Sequence, residues 1–325
     1  MAYLTKGSYL VQGINIHILC QSNLQSLLSN YFNSLYRGKK RLEIKPLEFE
    51  LDIVDEPPAL PAQSTPVIKL PSITSYRNGE KIYFRSKNGS IISLDPTTRN
   101  VRGFLKEEAL KDSMELFSLV CAPFVESLKY HGLYSLHSAA LYGDEKGYLI
   151  CGNSGCGKTT IALSLVSQGF KYVSDDFLIL EELNGEIIVN SLFRSFNLDQ
   201  KVAERFPEVA LGEALEFSEG NKVSVDVSQI FLGSFVPCTM PDVIIFPRIT
   251  PNRKSQIHPL NKKDVYARLL KQIILAVDNE VSKKQLGTLE KLVKQTIGFE
   301  LLSGRDIYEE PRKLVDLLKH INLQN

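Results

Sequence analysis

Apolar and polar residues alternate in Ile14-Asn15-Ile16-His17-Ile18 with the two-residue period of a half-buried strand, whereas Leu24 to Leu35 carries its apolar residues at helical spacing. Phe49 to Val54 reads as a strand. Glu56-Pro57-Pro58-Ala59-Leu60-Pro61 then breaks regular structure and predicts an extended surface loop. Asn78-Gly79 and Asn88-Gly89 are flanked by the strand-like runs Lys81 to Arg85 and Ser90 to Leu94, which predicts a small meander of hairpins. From Lys106 to Tyr130 an apolar stripe of Leu110, Met114, Phe117, Val120, Phe124 and Leu128 recurs at helical spacing. It is interrupted by Pro123 and closed by His131-Gly132.

Beyond that helix the pattern becomes α/β. Leu136 to Tyr142 and Gly147 to Cys151 predict strands, Thr159 to Gln168 a helix stopped by Gly169, and Lys171 to Ser174 and Phe177 to Leu180 strands again. The turn Asn184-Gly185 returns the chain through Glu186 to Asn190, so the sheet is expected to be mixed. Asp242 to Pro247 reads as a buried strand. Asn261 to Val277, Lys283 to Ile297 and Pro311 to His320 read as helices, the first capped by Asn261. The organisation expected is a small α+β N-terminal domain over residues 1–105, a junction helix over 106–131 and a catalytic domain over 132–325, with no internal repeat.

Composition narrows the class. With 43% hydrophobic and 23% charged residues, the 325-residue chain has the profile of a soluble globular protein. A formal net charge of +1 gives no basic field for a nucleic acid. No apolar run approaches the roughly 18 residues of a membrane span, and the N-terminus lacks the basic-then-apolar order of a signal peptide, so a cytoplasmic protein without a membrane partner is expected. Cys20, Cys121, Cys151, Cys156 and Cys238 form no C-x-x-C pair and read as reduced thiols, Cys151 and Cys156 as small packing residues around a loop. His17, His131, His137, His258 and His320 are dispersed, without metal-ligand spacing.

The chemistry begins at Gly152-Asn153-Ser154-Gly155-Cys156-Gly157-Lys158-Thr159. These residues fit G-x-x-x-x-G-K-[ST] and lie between a predicted strand and a predicted helix. Glycines let the backbone wrap phosphates with its N–H groups turned inward, and the helix N-terminus, Thr160 included, adds its positive end. Lys158 would reach the β- and γ-phosphates of ATP as a solvated point charge, and the Thr159 hydroxyl would ligate Mg²⁺. The plainer alternative is a glycine-rich turn with a surface lysine. The flanking elements argue against it.

Asp175 and Asp176 end a predicted strand seventeen residues beyond Lys158. Two adjacent carboxylates are costly to ionise together unless a cation sits beside them, and Mg²⁺ is such a cation. One acid would serve the metal and the other would take a proton from an attacking hydroxyl. A solvated turn is the alternative. Arg194, Lys222, Arg248 and Arg305 are candidates to neutralise the transferred phosphoryl group, Arg194 first.

His137, the loop Gly152 to Thr159, the strand ending in Asp175-Asp176 and Leu192-Phe193-Arg194-Ser195-Phe196 together resemble the catalytic domain of the bacterial HPr serine kinase/phosphatase family over about residues 130 to 325. The resemblance implies an α/β P-loop domain with a mixed sheet of the HPr kinase/phosphoenolpyruvate carboxykinase-like type. It implies Asp175 as proton acceptor, Asp176 with Thr159 at Mg²⁺, and His137 beside them. Leu192 stands where the family has an acid, and Ser195 and Asn197 replace glycines, while Arg194 is kept. These departures resemble divergent family members that phosphorylate other targets, including the serine kinases found with ribosomally made peptides. Phosphoenolpyruvate carboxykinases share a related loop and acid pair but are much longer chains.

The expectation is an ATP- and Mg²⁺-dependent kinase acting on a hydroxyl, foremost a serine of a peptide or protein. A small-molecule alcohol as acceptor and an ATP-binding regulatory module without phosphotransfer are the alternatives. A homo-oligomer is left open.

Overall fold

The computed structural model describes residues 4–38, 41, 44–210, 214–215 and 223–321. The chain divides into two compact units, Met1–His131 with Ala276–Ser282, and Gly132–Leu275 with Lys283–Asn325. Both are mixed α/β.

The first unit is built on an eight-stranded sheet in the order Leu4–Val11, Ile14–Gln21, Leu47–Ile53, Asn100–Leu105, Ile91–Asp95, Lys81–Ser86, Ile73–Asn78 and Thr65–Lys69. Ile14–Gln21, Leu47–Ile53 and Asn100–Leu105 run parallel, Leu4–Val11 pairs antiparallel with Ile14–Gln21, and the strands from Asn100–Leu105 to Thr65–Lys69 form the expected antiparallel meander. Helix Ser22–Ser34 connects the first parallel pair and buries Leu24, Leu28, Tyr31 and Phe32, one face of a 3.6-residue repeat. The junction expected as one helix consists of Glu107–Lys111 and Ser113–Lys129, and both lie in this unit. The break falls at Asp112, whose Oδ1 accepts from the Glu115 N–H and caps the second helix, while Pro123 is carried inside that helix. Phe124 packs near Phe32 with ring centroids 6.3 Å apart. The returning segment Ala276–Ser282 is tied in by the Val277 N–H, which donates to Glu126 Oε1 at 2.7 Å, and by Asp278, which pairs with Arg77 at 3.2 Å. Glu126 is buried beside Lys129.

The second unit holds a nine-stranded mixed sheet. Its order is Cys238–Thr239, Glu186–Ser191, Phe177–Leu183, Leu133–Gly143, Lys146–Cys151, Val243–Ile249, Ile297–Ser303 and Gln256–Leu260, with Lys171–Ser174 also paired to Leu133–Gly143. Lys146–Cys151, Val243–Ile249 and Ile297–Ser303 run parallel, and the other pairs are antiparallel. Helices Lys158–Val166 and Pro311–Lys319 supply Ile161, Leu165 and Leu318 to a core shared with Leu141, Tyr148 and Ile150 of the sheet. A three-stranded sheet of Phe196–Leu198, Val223–Val225 and Ala214–Leu215 completes the unit.

Two expectations change. The helix expected over Asn261 to Val277 is Lys262–Leu269, capped by Asn261 as expected, and it tightens into a 3₁₀ turn over Leu270–Gln272. Gln272 is buried there, so tertiary contacts override a helical pattern that no Gly or Pro interrupts. The helix expected to end at Ile297 is Asn279–Gln295, and Ile297–Ser303 is a central strand between a parallel and an antiparallel neighbour.

Gly147 marks a close backbone approach. Its N–H donates to Asp242 Oδ2 at 2.7 Å, and a Cβ at this position would lie 2.1 Å from the Met240 carbonyl oxygen. Backbone cannot swing away as a side chain can. Gly147→Ala is expected to cost about 1–3 kcal/mol or more, read as a lower denaturant midpoint at unchanged slope. An unchanged midpoint would mean the approach relaxes freely.

Candidate active site

The site is assembled by strand register. Leu133–Gly143 and Lys146–Cys151 form a hairpin through Asp144 and Glu145, both at positive φ, and pair Cys151 with Ser138. The ladder ends at that pair, with His137 next to Ser138 in one strand and Gly152, the first residue of the loop, next to Cys151 in the other. On its other side the same strand pairs Ala140 with Ser174 and His137 with Phe177. Asp175 and Asp176 therefore sit in the interruption between two ladders, facing Ser138 and Ala139. The Ser138 N–H donates to the Asp176 carbonyl at 2.9 Å and fixes that step.

Gly157 has φ +98°, a left-handed conformation, and starts helix Lys158–Val166. A Cβ there would also lie 3.1 Å from the Tyr308 hydroxyl. The first helical bond runs from the Ile161 N–H to the Gly157 carbonyl at 2.9 Å. That leaves the N–H groups of Lys158, Thr159 and Thr160 outside the helical ladder, the arrangement that attracts an anion. Asn153, Ser154 and Gly155 are exposed at the rim, and Cys156 is half-buried.

Lys158 was expected to be solvated. It is only 8% exposed, because its Nζ donates to the Gly152 carbonyl at 2.8 Å and lies 3.0 Å from His137 Nε2. An ammonium has only donors, so Nε2 must accept, which leaves the ring proton on Nδ1. Nδ1 is 3.1 Å from Asp176 Oδ1. Asp176, His137 and Lys158 thus form a continuous chain of polar contacts ending on the first carbonyl of the loop.

Asp175 is 2% exposed. Its Oδ2 accepts from the Thr159 hydroxyl and from the Asn197 N–H, each at 3.2 Å, while its buried Oδ1 has no hydrogen-bond partner. Burial first, and the neighbouring Asp176 second, push its carboxyl up to about 7, against the pull of Asn197, Thr159 and Lys158. Among the described residues no three His, Cys, Asp or Glu side chains converge as a ready-made metal cage. Mg²⁺ needs none, since it is held by one or two carboxylates together with substrate phosphates. The Thr159 hydroxyl and the Asp176 carboxylate are hard oxygen donors, and they fit that ion.

The expected cations are spread out. The Arg194 guanidinium is exposed and lies 4.9 Å from the Phe235 ring centre, and Arg305 is exposed after the Ile297–Ser303 strand. Lys222 lies outside the described residues. Leu192, at the position of the family's acid, is fully buried. Among the described candidates, Arg248 borders the loop. It lines a cleft of about 460 Å³ with Gly152 to Cys156, Phe246, Ile249, Arg268, Lys271, Gln272 and Glu300. Sequence reasoning missed Arg268, Lys271, Gln272 and Glu300, which belong to the misread helix end and the unexpected strand. It also missed Asn197 as a partner of Asp175, since a backbone N–H carries no sequence signal.

Neither a protein-family model nor a curated protein sequence matches the chain. Among solved structures, the HPr(Ser) kinase/phosphatase from Coxiella burnetii is similar over 57% of this chain and 93% of its own, at 15% identity and a TM-score of 0.30. At that score the likeness assigns neither fold nor activity. Among the described residues no helix is long and apolar enough to cross a membrane.

Proposed function

We propose that the protein is an ATP-dependent kinase that transfers the γ-phosphate to a hydroxyl, foremost a serine of a peptide or protein, in the cytoplasm. The observation that carries the reading is the convergence of Lys158, Thr159, Asp175, Asp176 and His137 at the lip of one glycine loop. The N–H groups at the helix start that no helical bond uses and the Lys158 ammonium bind the phosphates. The Asp175 Oδ1, unpartnered and on a carboxyl of pKa near 7, takes the acceptor's proton as the hydroxyl oxygen bonds to the γ-phosphorus. The β–γ bridging oxygen leaves with ADP. Thr159 and Asp176 are the residues that would hold Mg²⁺, which when bound neutralises charge on the phosphates. His137 keeps Lys158 and Asp176 in register across the loop mouth. The free cysteines suit a reducing compartment.

Incubation with γ-labelled ATP and cell extract tests the reading. Label on a polypeptide supports it, and label on a small alcohol keeps the kinase but changes the acceptor. Release of phosphate alone would overturn phosphotransfer in favour of a nucleotide-hydrolysing module.

A further inference from the structure

The acids and the cations flank the loop on opposite sides. Asp175, Asp176 and His137 lie on the side of strand Leu133–Gly143, whereas the 460 Å³ cleft lies on the side of Val243–Ile249 and Ile297–Ser303. A nucleoside triphosphate whose γ-phosphate faces Asp175 must place its other end somewhere. The cleft is continuous with Gly152 to Cys156, and its volume falls in the range of small-ligand sites.

Its walls suit an aromatic base and a sugar better than further phosphate. Arg268 lies with its guanidinium 5.5 Å from the Phe246 ring centre, and both its Nη atoms donate to Glu300 Oε1 at 3.1 Å. A guanidinium fixed by two hydrogen bonds over an aromatic ring is a rigid plane of the kind that stacks on aromatic rings. Arg248 approaches the other Glu300 oxygen at 3.5 Å, so the carboxylate is oriented from both sides and keeps lone pairs for hydroxyl donors. Ile249, largely exposed, forms an apolar flank beside Gly157. The buried Gln272 is within 3.4 Å of Asn153 Oδ1 and joins this wall to the loop.

Resting on the reading of the loop as a triphosphate site, we propose that this cleft is the nucleoside subsite. The base stacks on Arg268, and the ribose hydroxyls donate to Glu300. Arg268 then determines how much tighter a nucleotide binds than a bare triphosphate.

Calorimetric titration of the full chain with Mg·ATP and with Mg·inorganic triphosphate tests this. Wild type is expected to prefer ATP by about tenfold or more, the scale of one stacked base. Arg268→Ala should erase that preference while leaving triphosphate affinity within about twofold. Arg268→Lys keeps the charge beside Glu300 but not the plane, and should erase it too. Circular dichroism melting of each variant confirms that it is folded. A preference that survives both substitutions, a wild type without preference, or equal loss for both ligands would overturn the subsite. Failure of the underlying reading looks different, because wild type would then bind neither ligand, or Lys158→Ala would weaken neither.

Discussion

Asp175→Asn is expected to lower the turnover of phosphoryl transfer by about 10²–10⁴ and at the same time to make the metal-free protein more stable above neutral pH. The rate falls because Asn has no basic oxygen for the acceptor's proton, while nucleotide binding, which depends on the loop, stays near wild type. The stability gain follows from the sign of the shift. In the folded protein burial and Asp176 raise the Asp175 carboxyl from 3.8 to about 7, so the folded state holds this proton where the unfolded chain has lost it. Stability therefore declines as pH rises from about 4 to about 7 and is flat above, by on the order of 4 kcal/mol. Asn cannot ionise, and its carbonyl still accepts from Thr159 and Asn197. The variant should melt roughly 10 °C above wild type at pH 8 without Mg²⁺ and close to it at pH 4. Scanning calorimetry at both pH values checks this, and parallel pH profiles of the two proteins would show that Asp175 is not held as a buried carboxylate.

Lys158→Ala should weaken the binding of both Mg·ATP and Mg·inorganic triphosphate by about 30-fold to several thousand-fold, the effect of removing one partner of a desolvated charge pair. The ammonium is already positioned before phosphate arrives. Its donation to the Gly152 carbonyl and its contact with His137 hold it at the loop mouth, so little ordering remains to be done on binding. Burial also changes the expected stability. A solvated lysine could be removed without effect, whereas this one leaves the Gly152 carbonyl and His137 Nε2 without their donor, at a cost of about 1–3 kcal/mol. Unchanged affinity for both ligands in a folded variant would remove the loop from phosphate binding.

What the sequence made legible was local chemistry. The loop follows from Gly152, Gly157 and Lys158 at fixed offsets, because wrapping a phosphate constrains neighbours in the chain. Hairpins followed from Asn-Gly pairs, and Asn184 and Gly185 indeed turn with positive φ. Non-local facts were hidden. The meeting of His137 with Lys158 depends on a register set by the Asp144-Glu145 turn, and the burial of Lys158 depends on that meeting. Arg194 is expected at the phosphoryl group because the family resemblance keeps an arginine there, and the structure sets its guanidinium against the Phe235 ring. Glu300 lies just past the helix expected to end at Ile297, and only pairing with Val243–Ile249 and Gln256–Leu260 makes it a strand residue.

The return of Ala276–Ser282 to the first unit has a consequence for synthesis. A chain that emerges N-terminus first completes residues up to His131 and then passes through 145 further positions (276 minus 131) before the segment that satisfies Glu126 appears. At about 5–20 residues per second the wait is roughly 7–30 s. Throughout it the N-terminal unit is on the ribosome without its last piece, and most strands of the second unit are made before the older unit can close. Biogenesis of the two units is therefore interleaved: the N-terminal one waits for Ser282, and the second, begun later, needs residues 283–325 after that.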